Sequence, residues 1–279
     1  MNRLQAFGLI VAQASRGELV FPTSVNGAVK LQLALAEPDC HIEEAVKLVL
    51  ANPVLAARTV ALANSAVFNR AGAPAITSAR AAIMKIGYRN LYSLVAAMVV
   101  RQFGSKIADP VLRIKAEQLW EHTIHVATLA QVIARRVTQI DADTALFAGI
   151  VHEVGGFYLL SRADEFPGLL DGDNEDWVGV AEEVICREVM RKLMIPESVS
   201  SAIEGMRDGL LGIPPDTLLD TLLMAKQLAP VASPMRPEIV QPPLPADSVI
   251  DFVIDSDMMA SIFAESDSAA RAMNAALLV

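Results

Sequence analysis

Apolar residues recur at every third or fourth position along most of the chain, and the strict alternation of a half-buried strand is nearly absent. This spacing predicts an all-α fold. A first helix is expected at the N-terminus. Further helices are expected over residues 25–36, 41–50, from 53 onward, 78–86, 90–103, 111–137, 144–160, 178–193, 197–206 and 215–229.

Capping and helix-ending residues mark several of these boundaries. Pro53 and Pro196 fit the first position of a helix, where a missing N–H costs nothing. Ser78 is expected to cap a helix that Gly87 ends, and Asn90 to cap the next one. The sequence therefore supplies starts and stops for the helices that the apolar spacing predicts.

Two breaks divide the chain into predicted parts. Gly104 and the step Asp109-Pro110 mark the first break, and a proline-rich stretch after Pro230 marks the second. We predict an N-terminal helical subdomain over residues 1–105, a second helical subdomain over 106–230, and a linker with a tail over 231–279. The tail is expected to form two short amphipathic helices that dock on the body, rather than a segment that captures a partner. Its apolar anchors are Phe252, Met258, Met259, Ile262 and Phe263.

The charge balance removes one class of function. The chain has 23 Lys and Arg against 32 Asp and Glu, a net charge of −9. Clustered cations that neutralise phosphates are the basis of nucleic-acid binding, so no nucleic-acid partner is expected. Every long apolar run is interrupted by charge, so no membrane span is expected either. Cys40 and Cys186 are expected to be free thiols in a cytoplasmic protein.

The segment from 52 to 68 carries the most informative motif. A proline opens it, a run of apolar residues follows, and an Asn-Ser-Ala step ends it. It resembles the signature of the HDOD family, the HD-related output domains of bacterial signalling proteins, although Asn52 stands where that family usually has aspartate. Asn64 and Ser65 are expected to hydrogen-bond the backbone in a buried turn. The family-motif positions are Pro53, Leu55, Asn64 and Ser65.

The resemblance implies an N-terminal helical subdomain packed on a degenerate HD-type helical bundle. Enzymes of the HD class hold a metal ion with a His…His-Asp…Asp set. His122 and the doublet His152-Glu153 match its first three positions, with glutamate in place of aspartate, and Lys226 falls at the last one. An ammonium there opposes a cation, so the resemblance implies vestigial HD-site positions at His122, His152, Glu153 and Lys226. No cofactor is expected, and His122 and His152 are only weak candidates for metal ligands.

Three functions remain open at this point. The resemblance favours a non-catalytic module of signal transduction that works by binding a signalling protein partner. A residual metal-dependent phosphohydrolase acting on a nucleotide or a cyclic dinucleotide is the first alternative, and it needs His122, His152 and Glu153 as ligands. A nucleotide-sensing pocket without turnover is the second. Gly155-Gly156 is expected to allow close helix packing or a kink rather than to bind phosphate.

Overall fold

The computed structural model describes residues 2–21, 23–37, 39–69, 73–105, 107–171, 177, 181–236, 250 and 254–278. Within these residues the chain is helical and contains no strand, which confirms the predicted all-α fold. The helices are α1 (Arg3–Ser15), α2 (Thr23–Ala36), α3 (Ile42–Leu50), α4 (Pro53–Ala63), α5 (Ala79–Ile86), α6 (Tyr88–Phe103), α7 (Pro110–Ile133), α8 (Ala142–Val151), α9 (Val154–Arg162), α10 (Glu182–Lys192), α11 (Glu197–Gly205), α12 (Leu218–Leu228) and α13 (Ser256–Leu278).

The helices of the two predicted subdomains share one hydrophobic core. In the first part α2 packs on α6 and α4 packs on α5. In the second part α7 packs on α8 and α12, while α6 lies against α8 and α9 and so joins the two parts. The buried apolar residues of both parts form a single cluster. The predicted subdomain boundary at residue 105 stays a prediction, because one core that is shared by both parts gives no sign of where one subdomain would end.

Capping explains where several helices begin. The side chain of Asn52 accepts a hydrogen bond from the N–H of Leu55, and Ser78 does the same for Ala81. Asp109 caps α7, directly before its proline. Asn90 is different: it lies inside α6 and donates to the carbonyl of Ile86, so the prediction that it caps the helix was wrong by three residues, nearly one turn.

The helix predicted over 144–160 is in fact two helices. The α-helical pattern is interrupted at His152 and Glu153, between the end of α8 at Val151 and the start of α9 at Val154. Both segments are apolar on almost every face, so the spacing alone gave no sign of the interruption. The break matters because it places the His152-Glu153 doublet at a helix junction. A second departure is at the end of α7, where residues Ala134–Thr138 form a π-helical turn.

The tail docks on the body, as predicted, and its described residues Ser256–Leu278 form one helix, α13. In α13 the side chain of Ile262 is fully buried, and Trp120 of α7 donates its indole N–H to Asn274 at 2.8 Å. Glu265 accepts from Arg136 at 2.8 Å. The helix lies on α7 and α4 and therefore contacts both predicted subdomains. The predicted anchor Phe252 and the prolines at 237, 242, 243 and 245 lie outside the described residues.

One stretch of the described chain, Ala142–Glu165, is long and apolar enough to cross a membrane by length and composition. It comprises α8 and α9, and 89% of its apolar window is buried inside the fold. Burial of this extent is the behaviour of core helices.

Candidate functional site

The family-motif positions build a turn rather than a reactive site. Pro53 opens α4 and Leu55 is fully buried in the core. The side-chain amide of Asn64 donates to the carbonyl of Ile76 at 2.8 Å, and its oxygen accepts from the N–H of the same residue at 2.8 Å. Asn64 therefore pins the loop after α4, as predicted. The hydroxyl of Ser65 is buried without a hydrogen-bond partner among the described residues, so its predicted backbone bond was wrong.

The predicted HD-site residues do meet in space. His122 projects from the middle of α7, and His152 lies at the junction of α8 and α9. His122 Nδ1 is 2.7 Å from the backbone oxygen of Val231, and His152 Nδ1 is 2.7 Å from that of Gly149. Both side chains are buried. Each imidazole is thus fixed by a backbone carbonyl.

These backbone contacts define the tautomers. A carbonyl oxygen only accepts, so the Nδ1 atoms of His122 and His152 both carry hydrogen. In the neutral rings the Nε2 atoms are then acceptors, and they face each other at 3.4 Å. Two acceptors this close need a shared donor or a cation between them. The pair is therefore a preorganised receptor for a positive group.

Glu153 completes a possible ligand set. Ligand atoms of His122, His152 and Glu153 all lie within 4.8 Å of one another, and all three side chains are buried. An ion that binds each Nε2 at roughly 2.0–2.1 Å fits the 3.4 Å separation of the two nitrogens. Backbone carbonyls on Nδ1 also orient histidine ligands in metal sites. Among the described residues only these three groups gather, whereas a structural site normally takes four.

The surrounding charges oppose a metal ion. Lys226 on α12 and Arg236 after it both lower the pKa of His122 and of the Glu153 carboxyl through their positive charge. Burial is the largest influence on the histidines, and it lowers the pKa of His152 to about 4. Burial alone would raise the pKa of Glu153, but the neighbouring imidazoles and cations lower it. The geometry of His122, His152 and Glu153 therefore suits a metal ion, but the positive charges of the neighbouring Lys226 and Arg236 disfavour one.

Two further residues of the site gave no sequence signal. Glu182, at the start of α10, accepts from Arg236 at 2.7 Å, and both line a cavity together with Lys226 and Glu153. Burial raises the pKa of the Glu182 carboxyl. Arg236 follows the HD-like part of the chain in a segment rich in proline. Neither residue belongs to a motif, and only the tertiary fold brings them to the cluster.

Two glycines permit the close approach of helices around this site. A Cβ on Gly155 would lie 2.2 Å from Cys186 Sγ, and a Cβ on Gly149 would lie 2.4 Å from the backbone Cα of Ala127. The predicted packing role of Gly155 is thereby confirmed. Cys186 is a free thiol, and burial raises its pKa well above the ordinary value, which makes it a poor nucleophile. Cys40 is also free.

The site is thus two inward histidines and a glutamate at a helix junction within a helical bundle. The family model described as HDOD domain matches residues 21–191, more than half of the chain, and the chain belongs to the HDOD family. No curated protein sequence matches it.

Solved structures share the fold at low sequence identity. An HDOD domain protein with unknown function from Geobacter sulfurreducens has a TM-score of 0.63 and 21% identity, over 99% of this chain and 97% of that one. A Shewanella amazonensis SB2B protein, provisionally named a metal-dependent phosphohydrolase, has a TM-score of 0.68 and 19% identity, over 99% of this chain and 100% of that one. A Marinobacter aquaeolei VT8 protein, provisionally named a signal transduction protein, has a TM-score of 0.59 and 18% identity, over 98% of this chain and 67% of that one. These likenesses concern the fold.

The buried His152 gives a testable dependence of stability on pH. Its pKa is about 4 in the folded chain, below the ordinary value of 6.5. The unfolded state therefore takes up a proton that the folded state does not, and the free energy of unfolding falls by about 3 kcal/mol between pH 6.5 and pH 4. The lowered pKa values of His122 and Glu153 act in the same direction, and the raised pKa of Glu182 acts against it.

Urea unfolding at several pH values would measure this dependence in the wild type and in His152→Gln. We expect a shallower slope between pH 6.5 and 4 in the variant, because the imidazole is gone while the other titrating groups stay. Equal slopes for the two proteins would contradict the neutral, buried state of His152.

Proposed function

We propose that this HDOD protein is a regulatory module of signal transduction that binds another protein and does not hydrolyse phosphoesters. The observation that carries the proposal is the charge set around the histidine pair. A hydrolytic metal centre needs ligands that favour a cation and an open position for water. Here Lys226 and Arg236 bring two positive charges to the cluster.

A groove between the two predicted subdomains is the surface that we assign to the partner. It has a volume of about 360 Å³, and the aromatic residues Tyr88, Tyr92 and Phe147 line it together with Met194. Met194 is 53% exposed and has a φ of +52°, a backbone conformation that is costly for a side chain of this size. The fold thus holds a flexible apolar side chain at the surface, as protein-binding surfaces often do.

Charge indicates the chemistry of the partner segment. Asp143 lines the groove, and the whole chain has a net charge of −9. The charge of Arg89 at the rim is neutralised by an ion pair with Asp141. A basic peptide segment that inserts an apolar side chain complements this surface. We therefore assign the groove to a basic, amphipathic segment of a signalling protein.

Metal-dependent hydrolysis is the second candidate, and one observation favours it. The Nε2 atoms of His122 and His152 face each other as acceptors at 3.4 Å, beside the carboxylate of Glu153. When bound there, a metal ion would supply a nucleophile by lowering the pKa of its water. The three residues would hold the ion, and the positive charges of Lys226 and Arg236 would weaken its binding.

Two assays on the full chain separate these candidates. Affinity capture from cells with the wild type, His152→Ala and Met194→Asp tests the groove, and turnover of phosphomonoesters and diesters with added Mg²⁺, Mn²⁺, Fe²⁺, Zn²⁺ or Ni²⁺ tests catalysis. We expect the same partner on the wild type and on His152→Ala, its loss on Met194→Asp, and no turnover above that of His152→Ala.

Metal-stimulated turnover that His152→Ala lacks would establish the hydrolase instead. A partner that Met194→Asp still captures at the wild-type level would contradict the groove. Because Met194 is exposed, its replacement by a charged residue is expected to leave the melting temperature nearly unchanged, and this serves as the control for folding.

A further inference from the structure

Aromatic rings and one carboxylate line the groove that we assign to the partner. Tyr88 and Tyr92 lie one turn apart on α6, and Phe147 lies on α8, with 4.9 Å between the ring centroids of Tyr92 and Phe147. The groove volume of about 360 Å³ falls within the range of roughly 300–1,000 Å³ that is typical of ligand pockets. Asp143, in the first turn of α8, supplies the carboxylate. Organic cations bind against aromatic faces in surroundings of this kind.

The charge of Asp143 is not neutralised within the described part of the chain. Its Oδ1 accepts a hydrogen bond from the side-chain amide of Asn90 at 3.3 Å, and that donor is neutral. No lysine, arginine or histidine that the structure describes forms an ion pair with Asp143. Arg89, the one cation among the described residues that line the groove, pairs with Asp141 instead. The groove therefore keeps one uncompensated negative charge.

A buried hydroxyl of the groove lining also lacks a partner. Ser93 lines the groove and is 1% exposed, and its Oγ has no hydrogen bond among the described residues. Asn90, which contacts Asp143, lies three residues before Ser93 and therefore on the same face of α6. Native proteins rarely leave such a buried group unpaired unless a water or a ligand completes it. A hydroxyl oxygen accepts hydrogen bonds, so it can receive an N–H from a cation that the carboxylate attracts.

Arginine is the cation that suits this combination of groups. Its guanidinium is planar and weakly hydrated, stacks on aromatic rings and presents several N–H donors at fixed angles, whereas a lysine ammonium is a compact and strongly hydrated charge. We propose that the groove binds an arginine side chain of the partner, with its guanidinium paired to Asp143 and to the Ser93 hydroxyl and stacked on the aromatic side chains. This inference rests on the proposed protein-binding role, and it names the basic residue that the partner segment inserts beside its apolar side chain.

Isothermal titration of the full chain with capped pentapeptides tests this inference. The central residue of the peptide is arginine, lysine or citrulline, and it is flanked by leucine in each case. Citrulline has nearly the shape of arginine without its charge. We expect the arginine peptide to bind and the lysine peptide to bind more weakly. The citrulline peptide should bind at least about tenfold more weakly than the arginine peptide, because it loses a charge-assisted hydrogen bond.

Two variants locate the binding. Asp143→Asn removes the charge and keeps the size of the side chain. Glu121→Gln is the matched control, since Glu121 is an exposed carboxylate on α7 that does not line the groove. We expect Glu121→Gln to bind the arginine peptide as the wild type does. Asp143→Asn should bind it at least about tenfold more weakly and should lose the preference for arginine over citrulline.

Equal affinity of the wild type for the arginine and citrulline peptides overturns the inference, and this comparison holds even if Asp143→Asn does not fold. Wild-type affinity in Asp143→Asn overturns it too, as does the absence of binding of the arginine peptide at millimolar concentration. A lysine peptide that binds as tightly as the arginine peptide overturns the choice of arginine. Partner capture that Met194→Asp lacks is a separate result, and it supports the regulatory role even where the arginine peptide fails.

Discussion

Replacing Lys226 with aspartate is expected to give the chain a divalent-metal site that binds about one ion per molecule. The backbone carbonyls of Val231 and Gly149 already orient His122 and His152 so that their Nε2 atoms face each other. The substitution removes the charge that opposes a cation. A carboxylate on α12 also raises the number of ligand groups from three to four.

Elemental mass spectrometry after loading with Zn²⁺ or Mn²⁺ and desalting would measure the bound metal. The wild type is expected to retain far less than one ion per chain. Lys226→Asn is the matched control, since it has the size of aspartate without the charge. The double variant Lys226→Asp, His122→Ala should lose the metal again. If Lys226→Asp retains no more metal than Lys226→Asn, the position on α12 does not face the histidine pair.

The placement of the helices was largely predictable, because local signals decide it. Pro53, Ser78 and Pro196 act within one turn of the helix that they begin, and a single sequence displays them fully. Asn90 shows the limit of such signals. It has a suitable capping side chain, but Gly87, with a φ of +80°, already separates α5 from α6 three residues earlier. The stronger break determined where α6 begins.

The site was predictable only in part. The family pattern pointed to His122, His152, Glu153 and Lys226, and the fold does bring His152, Glu153 and Lys226 to one cavity wall. It gave no sign of Glu182 or Arg236, which come from different segments and interact only through the tertiary structure. The break between α8 and α9 was also hidden, because almost every residue on both sides of it is buried.

The tail also depends on tertiary contacts that its own sequence does not reveal. The apolar spacing predicted that this segment docks on the body. The structure buries one stripe of α13 against α7 and also pairs Glu265 with Arg136. A partner for a charged residue on a distant helix cannot be read from apolar spacing alone.

Gly149→Ala is expected to destabilise the chain by about 3 kcal/mol, at the upper end of the effects of overpacking. The added Cβ would lie 2.4 Å from the Cα and 2.9 Å from the backbone nitrogen of Ala127 on α7. Backbone atoms cannot rotate away, so α7 and α8 would have to separate. These helices carry His122 and lead into His152, so the histidine pair would move apart as well. Thermal and urea unfolding would measure the loss.

Gly155→Ala is the comparison that separates a clash with a side chain from the clash with backbone atoms expected in Gly149→Ala. There the added Cβ would lie 2.2 Å from the side-chain sulfur of Cys186, and the backbone Cα of that residue is farther away at 3.1 Å. Cys186→Ala should therefore recover part of the stability lost in Gly155→Ala, with a coupling free energy of about 1 kcal/mol or more. Ala127→Gly should not rescue Gly149→Ala, because glycine keeps the backbone atoms that clash.

Gly8→Ala serves as the control for the effect of alanine itself. A Cβ at this exposed position in α1 would meet nothing within 4 Å, and alanine in a helix interior is more stable than glycine by roughly 0.5–1 kcal/mol. We therefore expect a gain in stability at Gly8 and losses at Gly149 and Gly155. Rescue of Gly149→Ala by Ala127→Gly would show that the Ala127 side chain, rather than the α7 backbone, sets the spacing of the two helices. The distance between His122 and His152 would then depend on a side-chain contact of Ala127, which can adjust, and not on rigid backbone atoms.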